Sequence, residues 1–247
     1  MTWKVLGESV IGTSHQRHGL PCQDAARFKL FGAANDWLVA VVADGAGSAA
    51  HAEIGAALTC SEVVHRIESA KADAFFTREE MCGLFADVRQ TLIAEAARLG
   101  VSPRELACTA LVAVIGPAAA AFAQLGDGSI IIGAGLTCRP VFWPAPAEYA
   151  NATDFLTDEH FAVALQFSVI DEPITEVGLL SDGLQRLVLN FTAREAHAPF
   201  FRPMFDRLHA AVDPAELVAP FRSFLNSPQV NDRTDDDKTL VLAVRRP

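Results

Sequence analysis

The sequence predicts an α+β fold built on antiparallel sheets, and three observations predict it. Apolar runs of strand length outnumber the helical ones, they come in successive groups instead of alternating with helices, and Gly or Pro separates most of them. At 247 residues, 51% of them apolar, the chain can bury one large core, so residues 1–247 are expected to form one domain.

Trp3 to Gly12 alternates well enough for a strand, and Arg27–Phe31 and Trp37–Ala43 read as two more. From Ala49 to Ala70 the period changes: Ile54, Leu58, Val63 and Ile67 recur at helical spacing. Thr77 with Glu80 forms a capping-box pattern that opens a second helix running to Gly100. Strands return as Ala107–Ile115, Ala119–Leu125, Ser129–Gly133 and Pro140–Trp143. Pro144 to His160 is polar and irregular, a loop expected near the site, after which Phe161–Ile170 and Glu176–Leu180 read as strands. Leu184–Leu189 and Pro199–Ala211 read as helices, Asp213-Pro214 caps another to Leu225, and Thr239–Val244 is the last strand.

Composition excludes several function classes. A formal charge of −10 disfavours nucleic acid and anionic membrane as partners, since both select for clustered Lys and Arg. Cys22, Cys60, Cys82, Cys108 and Cys138 are scattered without a CxxC pair, which suits a reducing cytoplasm better than a disulfide framework or a zinc ribbon. No signal-peptide pattern opens the sequence. Leu106–Leu125 has the length of a membrane span, but Gly116-Pro117 divides it into two buried strands joined by a turn.

The candidate chemistry lies in short segments containing Asp. WLVAVVADGAGS and TEVGLLSDGLQ share one pattern, a strand that stops at Asp followed by Gly; Gln23-Asp24 and the run Asp235–Asp237 complete the set. A sheet holds a strand-end carboxylate in place, and a following Gly permits close approach to its backbone. Asp44, Asp182 and Asp237 have the oxygen chemistry that Mg²⁺ or Mn²⁺ prefers, and two such cations can clamp a phosphate and acidify a water. Each segment by itself is also an ordinary turn or a solvated loop. No GxSxG elbow supports a covalent hydrolase.

GTSHQRHGLPCQDA, VVADGAGSA, ACTALVAVI, AQLGDGSIIIG, FLTDE, GLLSDGL and DDDKTLVLAV occur in that order along the chain. Together they resemble the metal-dependent serine/threonine protein phosphatases of type 2C, particularly their compact bacterial branch. The resemblance implies a four-layer α-β-β-α sandwich with two antiparallel sheets. It also implies two, possibly three, Mn²⁺ or Mg²⁺ ions and phosphoserine or phosphothreonine substrates on proteins, with a cognate kinase or its target as partner. By the family pattern Asp44 would bridge two cations, the Gly45 carbonyl would bind one, and Asp182 and Asp237 would complete the other. Asp24 would accept from metal-bound water, Asp127 would help hold a third cation, and Thr109 would be structural.

Two positions depart from that pattern. Ala46 stands where many members have a general-acid His, leaving His15, His18 or bound water to supply a proton; Gly19 stands where many have a phosphate-gripping Arg, with Arg17 two residues away. Two rival readings follow: a phosphatase-like module that binds a partner without catalysis, and a phosphoaspartate enzyme using Asp235-x-Asp237-x-Thr239. Nothing in the sequence fixes the oligomeric state.

Overall fold

The computed structural model describes residues 2–70, 75–143 and 153–245. In chain order it has β1 (Lys4–Val10), the short helix α1 (Thr13–His18), β2 (Ala25–Phe31) and β3 (Trp37–Ala43), then the helix pair α2 (Ala52–Ser69) and α3 (Arg78–Leu99). Four strands follow: β4 (Ala110–Ile115), β5 (Ala120–Leu125), β6 (Ser129–Ala134) and β7 (Thr137–Pro140). After one turn of helix, α4 (Phe161–Ala164), come β8 (Gln166–Ile170) and β9 (Glu176–Leu180), then α5 (Gln185–Val188) and the two-residue strands β10 (Leu189–Asn190) and β11 (Glu195–Ala196). Helices α6 (Ala198–Ala210), α7 (Val218–Leu225) and α8 (Pro228–Asn231) lead into β12 (Lys238–Val244).

The long strands form two antiparallel five-stranded sheets, ordered β2-β3-β4-β5-β8 and β1-β12-β9-β6-β7. Strand periodicity explains the layers. On β3, Val39, Val41 and Ala43 pack against Val63, Ile67, Phe85 and Val88 of α2 and α3, while Leu38, Ala40 and Val42 turn the other way toward Val177, Leu179 and Val241 of the second sheet. The far side of that second sheet, through Leu180, Leu240 and Leu242, meets Phe201, Phe205 and Leu208 of α6 and Phe221 of α7. Both sheets are therefore covered on two faces, which is why β3, β4 and β12 read as nearly unbroken apolar runs. The result is the α-β-β-α sandwich.

Local signals held where their chemistry is strong. The Thr77 hydroxyl accepts from the Glu80 N–H at 3.2 Å and donates to the Glu80 carboxylate at 2.6 Å, and Gly100 ends α3 in the left-handed conformation. β4 and β5 meet at the Gly116 turn, where the Gly116 N–H bonds to the Ala119 carbonyl at 2.9 Å. No helix among the described residues is long and apolar enough to cross a membrane.

Other elements came out differently. Phe161–Ala164 is helical, with only Gln166–Ile170 in the sheet; a short apolar run carries too few periods to separate the two states. The seventh strand ends at Pro140 instead of starting there, and Trp143 packs edge-on against Phe191 beneath the Arg194 guanidinium. The expected loop from Pro144 to His160 falls partly outside the described residues.

Strand register fixes what meets at the sheet edge. Leu180 pairs with Leu240 on one side and Ser129 on the other, bringing the residues after β9, before β12 and in the β5–β6 turn to one end of their sheet. Ala25 pairs with Ala43, setting Asp24 beside Asp44.

Candidate functional site

Asp44 leaves the end of β3 and is anchored by two hydrogen bonds to one residue. Its N–H donates to the Thr109 hydroxyl at 3.0 Å, and the Thr109 N–H donates to its carbonyl at 2.8 Å. The Gly45 N–H bonds to the Gln23 carbonyl at 3.2 Å. Asp182 opens the turn after β9, held by Ser181, whose N–H bonds to the Thr239 carbonyl and whose hydroxyl donates to Asp24 at 2.6 Å. The two Asp-Gly pairs need glycine because protein backbone comes close. A Cβ on Gly183 would sit 2.0 Å from the Asp237 carbonyl oxygen, and one on Gly45 would sit 2.8 Å from that of Gln23.

These segments enclose a cavity of about 160 Å³ lined by His15, Gln23, Asp44, Gly45, Ala46, Gly47, Thr109, Asp127, Thr153, Phe155, Asp182 and Asp236. Among the described residues its lining includes four carboxylates and no Lys or Arg. A larger groove of about 680 Å³ lies between α2 and α3, but there Arg66 is already paired with Glu62 and Asp87, and none of the Asp motifs reaches it.

Electrostatics within the cavity are unfavourable to bare carboxylates. Burial, reinforced by Asp24 and Asp182, pushes Asp44 well above the usual carboxylate range. Burial likewise raises Asp182 to about 6, reinforced by the negative charges of Asp127 and Asp236 and opposed by hydrogen bonding from Asp44. Asp24, behind the cavity, is raised to about 7 by burial against the hydrogen bonds from Ser181 and Thr239. Burial raises Asp127 as well, although the Thr153 hydroxyl donates to it at 3.4 Å.

This predicts an inverted pH dependence for the cation-free protein. A carboxylic acid whose folded pKa is raised binds more protons when folded, so its contribution to stability is full below pH 4 and is lost as pH rises to about 7. In chelator, wild-type protein should lose on the order of 2 kcal/mol more stability than Asp182→Asn between pH 4 and 7, at about 1.4 kcal/mol per pH unit separating folded and unfolded pKa values. Urea midpoints at both pH values measure it, and a wild type that gains stability relative to the variant over that range would refute it.

The expected site residues divide into two groups. Asp44, Gly45, Asp127, Asp182 and His15 line the cavity. Asp24 is buried behind it, and Arg17 and His18 are exposed on α1, where Arg17 pairs with Asp235 at 3.2 Å and the His18 ring meets the Ser14 carbonyl at 2.8 Å. Asp237 is the correction. Its carboxylate accepts from the Gly12 N–H at 2.6 Å, the Gln23 N–H at 2.6 Å and the His15 ring at 2.9 Å, so its oxygens are committed to the fold. The residue of that run facing the cavity is Asp236, which the sequence reading missed. Gly19 is the left-handed cap of α1, and Ala46 packs with Ala49, Ala52 and Ala107. Asp235, the nucleophile a phosphoaspartate enzyme would need, is exposed and outside the cavity.

Comparison with known proteins fits this geometry. The family described as Protein phosphatase 2C matches residues 11–222. The chain belongs to the protein phosphatase 2C family. Serine/threonine-protein phosphatase 3 of Escherichia coli K12 is 35% identical over 250 residues, covering 99% of each chain. Among solved structures, the serine/threonine phosphatase of Staphylococcus aureus superposes with a TM-score of 0.65 at 14% identity, over 100% of this chain and 96% of that one. PppA, described as a key regulatory component of T6SS in Pseudomonas aeruginosa, gives 0.66 at 20% identity over 99% and 98%. At these identities the superpositions speak for the fold.

Protein phosphatase 2C enzymes depend on Mn²⁺ or Mg²⁺, and the cavity suits such cations. Among the described residues Asp182 Oδ1 is buried without a hydrogen-bond partner, Asp44 and Asp182 repel each other where a cation would serve both, and no Lys or Arg lines the cavity to compete. Among the described residues no three His, Cys, Asp or Glu side chains form a ready cage. Mg²⁺ and Mn²⁺ keep several waters and take few carboxylates each, so an open arrangement of this kind is sufficient for them.

Proposed function

We propose that this chain, acting as one catalytic unit over residues 1–247, hydrolyses phosphoserine and phosphothreonine monoesters on proteins. The observation that carries the reading is the four-carboxylate cavity at the sheet edge of a family phosphatase fold. Asp44, Asp182, Asp236 and the Gly45 carbonyl would hold two Mg²⁺ or Mn²⁺ ions, with Asp127 and Asp182 favouring a third. The cations supply neutralisation of the phosphate charge and a water acidic enough to attack phosphorus. Thr109 fixes Asp44 through paired hydrogen bonds, and Asp24 holds Ser181, which sets the turn carrying Asp182. Phe155 and Thr153 contribute to the cavity wall. The substrate would be a phosphoprotein of a kinase pathway, the kinase itself or its target.

Purified protein should hydrolyse a phosphothreonine peptide and p-nitrophenyl phosphate in millimolar Mn²⁺ and lose at least about 10²-fold of that activity in excess chelator. Absence of turnover with cation present would favour the partner-binding module instead.

A further inference from the structure

Among the described residues, the positions expected to supply a proton donor for the departing alcohol and a cationic grip on phosphate do not supply them. Ala46 is buried among alanines, Gly19 caps a helix, Arg17 is paired outside and His18 is turned to backbone. Among the described residues, His15 is the only cavity-lining side chain that can carry a positive charge.

Its placement is fixed by an unusual support. The Nδ1 atom lies 2.9 Å from Asp237 Oδ2, and that carboxylate is 3% exposed. The Gly12 and Gln23 N–H groups, each at 2.6 Å, leave Asp237 little freedom to rotate. Gly12 immediately precedes α1 and Gln23 precedes Asp24, so one carboxylate clasps both ends of the segment that presents His15. With Nδ1 bound to a carboxylate it carries the hydrogen, and Nε2, which makes no hydrogen bond among the described residues, is free to act in the cavity.

We propose that His15, positioned by Asp237, is the general acid that protonates the leaving serine or threonine oxygen, taking the role that Ala46 cannot fill. The inference rests on the phosphatase reading. Water oxygen bonds to phosphorus as the phosphorus–oxygen bond to the side chain breaks. The bond pair stays on the departing oxygen, which takes the Nε2 proton to give the alcohol. The product leaves as dihydrogen phosphate, and the proton it sheds to solvent returns the neutral imidazole to imidazolium. Asp237 holds the ring in place through Nδ1, without touching substrate.

Leaving-group dependence tests the assignment, because an alkoxide needs a proton and p-nitrophenolate does not. With Mn²⁺ present, His15→Ala should reduce kcat on a phosphothreonine peptide roughly 10²-fold or more, and on p-nitrophenyl phosphate by less than about tenfold. Added imidazole should restore part of the peptide activity. Asp237→Asn should show the same selective loss, and Mn²⁺ affinity measured by calorimetry should be unchanged in His15→Ala. If His15→Ala does not fold, His15→Gln carries the same comparison. Equal loss on both substrates, or undiminished peptide turnover, overturns the assignment of His15. A wild type inactive on both substrates instead defeats the phosphatase reading itself.

Discussion

Asp44→Asn is expected to lower phosphopeptide turnover by at least about 10²–10³-fold and at the same time to make the cation-free protein more stable. Asp44 is central to the electrostatics of the cavity: burial raises it, and Asp24, Asp182 and Asp127 all add like-charge repulsion. A neutral amide of the same shape removes that repulsion and keeps the backbone bonds to Thr109, which do not involve the side chain. The same amide is a poor ligand for a hard cation. Asp182→Asn should behave alike, since its orphaned Oδ1 and its burial beside Asp127 and Asp236 mark the same conflict. Turnover in Mn²⁺ and thermal melting in chelator give the two readouts. Wild-type activity in both variants would remove the mechanism, and a large loss of cation-free stability would show that these carboxylates serve the fold instead.

The second prediction separates two neighbours. Asp236→Asn should abolish Mn²⁺-dependent turnover with a stability change within about 0.5 kcal/mol, because the side chain is exposed toward the cavity and the substitution keeps an acceptor for the Asp237 N–H bond of 2.8 Å. Asp237→Ala should unfold the protein more readily. It strips three donors, Gly12 N–H, Gln23 N–H and His15 Nδ1, from a buried acceptor. At about 1–3 kcal/mol for each donor left unsatisfied, the loss should reach about 3 kcal/mol. Urea denaturation of both variants checks the contrast. If Asp237→Ala proves stable and Asp236→Asn active, the roles are reversed.

That contrast also marks how far the sequence could be read. Element order and the strand-end carboxylates were legible because strands buried on both faces read as apolar runs and each run stops at a charged residue that cannot follow into the core. The choice between Asp236 and Asp237 was not legible. Three identical residues offer no pattern, and the deciding fact is that backbone N–H groups from more than 210 positions earlier reach the last of them, Asp237. The helix carrying His15 was missed for a related reason. Thr13–His18 buries none of its residues, so no apolar period announces it, and its place is set by Asp237 rather than by a core contact. The Ala46 and Gly19 departures were visible as substitutions, but their packing reasons were not.

The pairing of β1 with β12 joins Lys4 to Val244 and Val10 to Lys238, across almost the full length of the polypeptide. β12 also pairs with β9, so it sits inside its sheet instead of at the rim. During synthesis on a ribosome, then, the second sheet has a gap until β12 emerges from the exit tunnel. The carboxylate of Asp236 and the clasp on His15 arrive with that same strand. A nascent or prematurely terminated product that lacks β12 therefore cannot dephosphorylate anything it meets.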